Sequence, residues 1–119
     1  MHPYFAEALG TALLILFGNG VVANVVLSKS KANNGGWIVI TMGWGLAVAL
    51  AVYVVGRVSG AHINPAVTIG LASIGAFEWS QVPGYILSQI AGGFIGSVLV
   101  YLCFYAHWEE TEDPDLILA

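Results

Sequence analysis

The 119 residues are 58% hydrophobic and 8% charged, against roughly 25% charged in an ordinary soluble domain, so three basic and seven acidic residues cannot keep such a chain in water. Most of the net charge of -4 comes from one short run, "EETEDPD" at residues 109–115, and the absence of any basic patch excludes a nucleic-acid partner. A lipid bilayer is the solvent this composition fits.

In chain order, "MHPYFAEALG" has no basic leader and no small-residue cleavage site. The first apolar run, residues 4–27, is therefore a retained span rather than a signal peptide. Glu7, Asn19 and Asn24 interrupt it. Residues 28–36, "SKSKANNGG", form a polar, turn-rich connector holding two of the three basic residues. Residues 37–55 and 82–105 carry no charge, and each of the three runs reaches the length of about 20 residues that crosses a membrane. The one cysteine, Cys103, reads as a buried small hydrophobe and can form no internal disulfide, so the redox compartment stays open.

Between the second and third spans lies "SGAHINPAVTIG", residues 59–70. The stretch 64–73 is about 15 Å long at helical rise, half the hydrocarbon thickness, and predicts a dip into the membrane and back. Non-helical backbone at that depth is tolerated only beside protein or a watery cavity. Asn64 suits the N-cap of a half-helix and Pro65 its first position, with "SGAH" extended before it. The helix end carries about half a positive charge, and facing a narrow water path that field opposes cations and a continuous proton wire. The Asn64 amide keeps a donor for a passing oxygen.

"SGAHINPAVTIG" resembles the first Asn-Pro-Ala signature of the aquaporin and glycerol-facilitator family, the major intrinsic proteins. "AEALGTALLILFGNG" and "ILSQIAGGFIGSVLVY" resemble that family's first and third helices. The resemblance implies an all-α membrane protein, one half-repeat of three transmembrane helices plus a re-entrant half-helix, in the cell membrane. It implies a passive pore for glycerol, other small neutral solutes and water, of the glycerol uptake facilitator type, with no cofactor and no catalysis. Asn64, Pro65 and Ala66 match the signature, and Gly60, Ala61 and His62 match the segment whose carbonyls line the pore. Ile63 and Val67 match apolar wall positions. Trp44 matches a constriction position, with Val48 one turn away on the same face; the other reading of Trp44 is a packing anchor. Glu7 matches a buried glutamate supporting the loop through backbone N–H groups of residues 59–62, or is an ordinary interfacial charge. Gln89 binds the loop or a neighbouring helix. Gly92 and Gly96 allow close helix approach, as do Gly10, Gly18, Gly20, Gly43 and Gly45.

The family builds its pore from two inverted halves, and these residues match one. A second signature and its following arginine are absent, and Arg57 precedes the signature. "TEDPDLILA" resembles the start of the connector between halves, so residues 106–119 read as a cut connector. The expectation is a half that does not conduct alone and lacks its second half, with the homotetramer belonging to the intact family. The family's cytoplasmic N-terminus places Lys29 and Lys31 outside, against a weak contrary charge bias. Two other functions compete: a non-conducting fragment that assembles with a full-length channel, and an intramembrane enzyme using Ser59 and His62. No metal site is expected, since His2, His62 and His107 lack ligand spacing.

Overall fold

The computed structural model describes residues 1–119 and contains helices and no strand. Helix α1 is Pro3–Val26, α2 is Trp37–Ser59, α3 is Pro65–Ser73 and α4 is Val82–Cys103, the last preceded by a 3₁₀ turn at Trp79–Gln81. Three of these are long and apolar enough to cross a membrane. At 24 residues, α1 is about 36 Å long. The molecule is 47 Å along its main axis.

Local chemistry sets the ends. His2 caps α1 by accepting the Tyr4 N–H at 3.1 Å, with Pro3 next. At the other end the connector satisfies the last carbonyls: Ser30 Oγ donates to Leu27 O at 2.8 Å and also to Asn24 O, and Asn33 Nδ2 donates to Leu27 O at 2.9 Å. Asn24 accepts the Ala32 N–H at 3.2 Å, which accounts for a polar residue at that point of the span. Helix α2 runs four residues beyond the expected end at residue 55. Gly60 stops it, in the left-handed conformation (φ 85°, ψ 0°), with its N–H returned to Gly56 O at 3.0 Å. Arg57 thereby falls in the last turn, where the helix dipole favours a cation.

Helix α1 is the middle of the bundle. It packs parallel to α4, Ala8 meeting Gly92 and Ala12 meeting Gly96, and antiparallel to α2, Gly10 meeting Val55 and Gly18 meeting Trp44. Val82, Tyr85, Gln89, Gly92, Gly96 and Val100 form the buried stripe of α4 at spacings of three and four. A Cβ on Gly92 would overlap the Ala8 carbonyl, and one on Gly96 would lie 2.7 Å from Ala12 O. The GxxxG pair therefore serves packing within the chain. A Cβ on Gly43 would press on Val21 at 2.7 Å, whereas Gly20 and Gly45 have nothing within 4 Å and do not serve packing here.

At the end of α4 the structure departs from the sequence reading at one residue. Cys103 is exposed: it continues the line of the buried stripe but is the last residue of α4. After α4, Phe104 breaks the helix, α5 (Tyr105–Glu109) and α6 (Pro114–Ile117) follow, and the segment clasps the α1–α2 connector. Ser28 N–H donates to Thr111 Oγ1 at 2.9 Å, His107 Nδ1 lies 3.1 Å from Ser28 O, and Lys29 Nζ donates to Glu110 Oε2 at 2.5 Å. That hydrogen bond, with the lysine's charge, holds the Glu110 carboxyl below the usual carboxylate range. Phe104 and Trp108 pack on Ala23, Leu27 and Val100.

Candidate pore half-site

Residues 60–64 join α2 to α3, and α3 packs on α4. The joint is not extended. Gly60, Ala61 and Ile63 all have positive φ (85°, 50° and 45°). For L-residues the left-handed region costs about 1–2 kcal/mol each, and a β-branched residue there is a genuine outlier. Such a backbone persists only where its surroundings over-determine it.

Glu7 supplies that determination. The side chain is fully buried, and its carboxylate accepts four hydrogen bonds. Oε1 takes the Ser59 hydroxyl at 2.6 Å and the His62 N–H at 2.9 Å. Oε2 takes the Ile63 N–H at 2.7 Å and Gln89 Nε2 at 2.8 Å. Of residues 59–62 only His62 gives its amide to Glu7, and the second amide comes from Ile63, because the left-handed turns converge these two. Ser59 gives its hydroxyl instead, and that oxygen also accepts the Ala61 N–H at 3.1 Å. A carboxylate meeting four donors is the arrangement that makes a buried charge tolerable.

Thr68, fully buried one turn into α3, extends the network. Its Oγ1 accepts from Gln89 Nε2 at 2.9 Å and lies 3.0 Å from His62 Nδ1. Its hydroxyl also reaches Asn64 O, at 3.4 Å. Tyr85 donates to Ser59 O at 2.7 Å, and its ring, with Phe77, encloses the His62 ring at centroid distances of 4.9 and 4.7 Å. Sequence reasoning missed Thr68, Tyr85 and Phe77. The signal for Tyr85 was its position one turn before Gln89 on one face of α4, and for Thr68 its position one turn after Asn64.

At the start of α3 the Asn64 Oδ1 accepts the Ala66 N–H at 2.8 Å, so the amide group of Asn64 has no partner within the chain. Ile63 Cγ2 lies against Gly10. Counted from Pro3 to Gly10, this puts the α3 N-terminus about 10 Å inside the bundle. The nine residues of α3 then span about 14 Å, too little for a crossing.

The remaining candidates divide by environment. Asn64, Gly60, Ala66, Val67 and Val48 are exposed, and Pro65, Ala61 and Trp44 are half-buried. His62 is buried. Ile63 is not on the open side: it is buried with Ala6, Ala51 and Val55, because its positive φ turns it toward α1. The Trp44 indole lies over Gly18, where a Cβ would overlap its six-membered ring. Ser59 spends its proton on Glu7 and the His62 ring faces Thr68, so no nucleophile–base pair exists between them.

Comparison with known proteins places this geometry. Residues 1–115 match the family profile of the major intrinsic proteins. The chain is 71% identical over all 119 residues to a probable glycerol uptake facilitator protein of Thermotoga maritima and covers 51% of it. It is 58% identical over the same length to a glycerol uptake facilitator protein of Streptococcus pneumoniae, again covering 51%. The chain thus spans about half the length of these relatives. Among solved structures, the aquaglyceroporin of Plasmodium falciparum superposes with a TM-score of 0.84 at 36% identity, over 93% of this chain and 45% of that one. With its bundle, its capped half-helix and nearly its whole length matched, the chain belongs to the major intrinsic protein family.

Proposed function

We propose that these residues supply one half of a passive pore for glycerol, other small neutral solutes and water, a multi-pass unit of the cell membrane that performs no catalysis. The observation that carries the reading is the Asn64 cap. It leaves an unpartnered amide and a positive helix end inside a membrane bundle, on an exposed side of the chain. A permeant hydroxyl accepts from that amide, and the dipole field disfavours cations. Gly60, Ala61 and His62 contribute carbonyls to the path, and Trp44, Val48 and Val67 contribute an apolar wall for a polyol's carbon side. Pro65 and Ala66 hold the cap, with Glu7 and Gln89 fixing the loop behind it. The relatives' description as glycerol uptake facilitators supports glycerol as the permeant.

One half does not enclose a path, since Asn64, Val48 and Val67 are exposed. The partner needed is a second half of inverted topology, and the homotetramer of the intact family is the assembly proposed for the pair. Liposome swelling tests this. The 119 residues alone should swell at the lipid-only rate, and together with the C-terminal half of the Thermotoga maritima relative they should admit glycerol. Fast swelling with the chain alone overturns the half-pore reading; none with the pair overturns the channel. The exposed side also fits a second reading, an assembly partner of a full-length channel, which predicts co-purification with that channel and no flux with the added half.

A further inference from the structure

We infer that the outer face at the C-terminal end of α2 is a binding site for an anionic phospholipid, with Arg57 holding the phosphate. Of the three basic residues, Lys29 is paired with Glu110 in the chain's single ion pair and Lys31 lies in the polar connector. Arg57 has no acidic partner and makes no hydrogen bond, although it sits on a membrane-crossing helix of a chain with net charge -4. Its place in the last turn of α2 puts the guanidinium at the membrane edge, at the end of the bundle where α1 and α4 begin.

Val52, Tyr53, Gly56 and Arg57 line an open notch of about 460 Å³. Gly56 creates the room: a Cβ there would have only Val52 Cγ1 nearby, at 3.8 Å. Tyr53, one turn deeper, is 88% exposed, the most exposed large hydrophobic side chain of the bundle, and turns a phenol toward lipid. The notch therefore runs from a cation at the rim, through a phenol, to an aliphatic floor. A phospholipid has the same order from outside inward: phosphate, ester and glycerol region, acyl chain. The guanidinium forks onto phosphate oxygens, the space left at Gly56 takes the glycerol region, the phenol is an interfacial group able to meet an ester carbonyl, and the acyl chain runs on past Val52.

Native mass spectrometry of the chain, released from mild detergent with phosphatidylglycerol or phosphatidylcholine, tests the site. One phosphatidylglycerol should bind on the order of fivefold more tightly than phosphatidylcholine, the scale of one basic residue at an anionic surface. Arg57→Gln should abolish that preference and Tyr53→Phe should weaken binding of both lipids, while Lys31→Gln leaves the preference intact. All three positions are exposed, and circular dichroism of each variant verifies retained helix. Equal binding of the two lipids, survival of the preference in Arg57→Gln, or its loss in Lys31→Gln overturns the proposal. So does displacement of the lipid by millimolar inorganic phosphate, which would make the ligand a free anion.

Discussion

A carboxylate at the buried end of α1 is the residue on which the loop's shape rests. Four donors converge on Glu7. In Glu7→Gln one oxygen becomes an NH₂ group. Gln89 can turn over to accept from it, since Gln89 Oε1 has no partner in the native chain, but the Ile63 N–H is then left unbonded. An orphaned buried donor costs about 1–3 kcal/mol. We expect a lowered melting temperature and faster amide exchange at His62 and Ile63, and a larger loss in Glu7→Ala. A stable Glu7→Gln protein with protected amides would contradict this account. Much at this scale was legible: Asn-Pro announces a helix start, and a glutamate in an apolar run demands partners. Which amides it meets was not, because that depends on the left-handed turns at Ala61 and Ile63, and neither residue type announces a positive φ.

Among the elements, small residues decide which surfaces touch. Gly92→Ala drives a methyl into the Ala8 carbonyl, and overpacking of this kind costs about 1–3 kcal/mol. Gly20→Ala meets nothing within 4 Å and should gain up to about 1 kcal/mol from helix propensity. Opposite shifts in thermal melting are the expected result, and equal shifts would refute the packing assignment. Sequence spacing exposes the α4 stripe but cannot separate Gly18 and Gly43, which admit side chains, from Gly20 and Gly45, which face open space, since that depends on where the neighbouring helix lies. The end of α2 was misjudged for a related reason. Hydropathy fades at Gly56, yet a helix ends where its backbone finds a left-handed residue, here Gly60. The clasp between the two polar connectors gives a pH prediction. Because Glu110 titrates below its ordinary range, the ion pair's contribution is complete above the ordinary carboxylate pKa and fades as pH falls through the lowered one. The carboxyl ¹³C shift of Glu110 should titrate low in the native chain and return toward the ordinary value in Lys29→Gln or in 1 M salt, about 3 Å being the screening length there.

For the molecule as a whole, the distinction that matters is between the side of α1 that its neighbours close and the side they leave open. With only 25 of 119 residues buried, this half ties its loop to Glu7 while leaving Val48 and Asn64 exposed and Trp44 half-buried over Gly18. In the paired-halves assay, Trp44→Ala should raise passage of polyols larger than glycerol severalfold while leaving water flux nearly unchanged; unchanged polyol selectivity would assign Trp44 to packing over Gly18 alone. The architecture of three spans and a half-helix could be read from run lengths, whereas the clasp could not, since its contacts join residues 79 to 83 positions apart. Distance along the chain also bears on how the protein is made. The acceptors of Glu7 are filled by groups 52, 55, 56 and 82 residues downstream. At a ribosomal pace of about 5–20 residues per second, roughly 3–10 s pass between synthesis of Glu7 and of its amide partners. An unpaired carboxylate is costly in hydrocarbon. Until the loop arrives, Glu7 is therefore accommodated either among the headgroups or as the neutral acid, and the four donors that meet its charge at depth come only once residues 59–89 have been made.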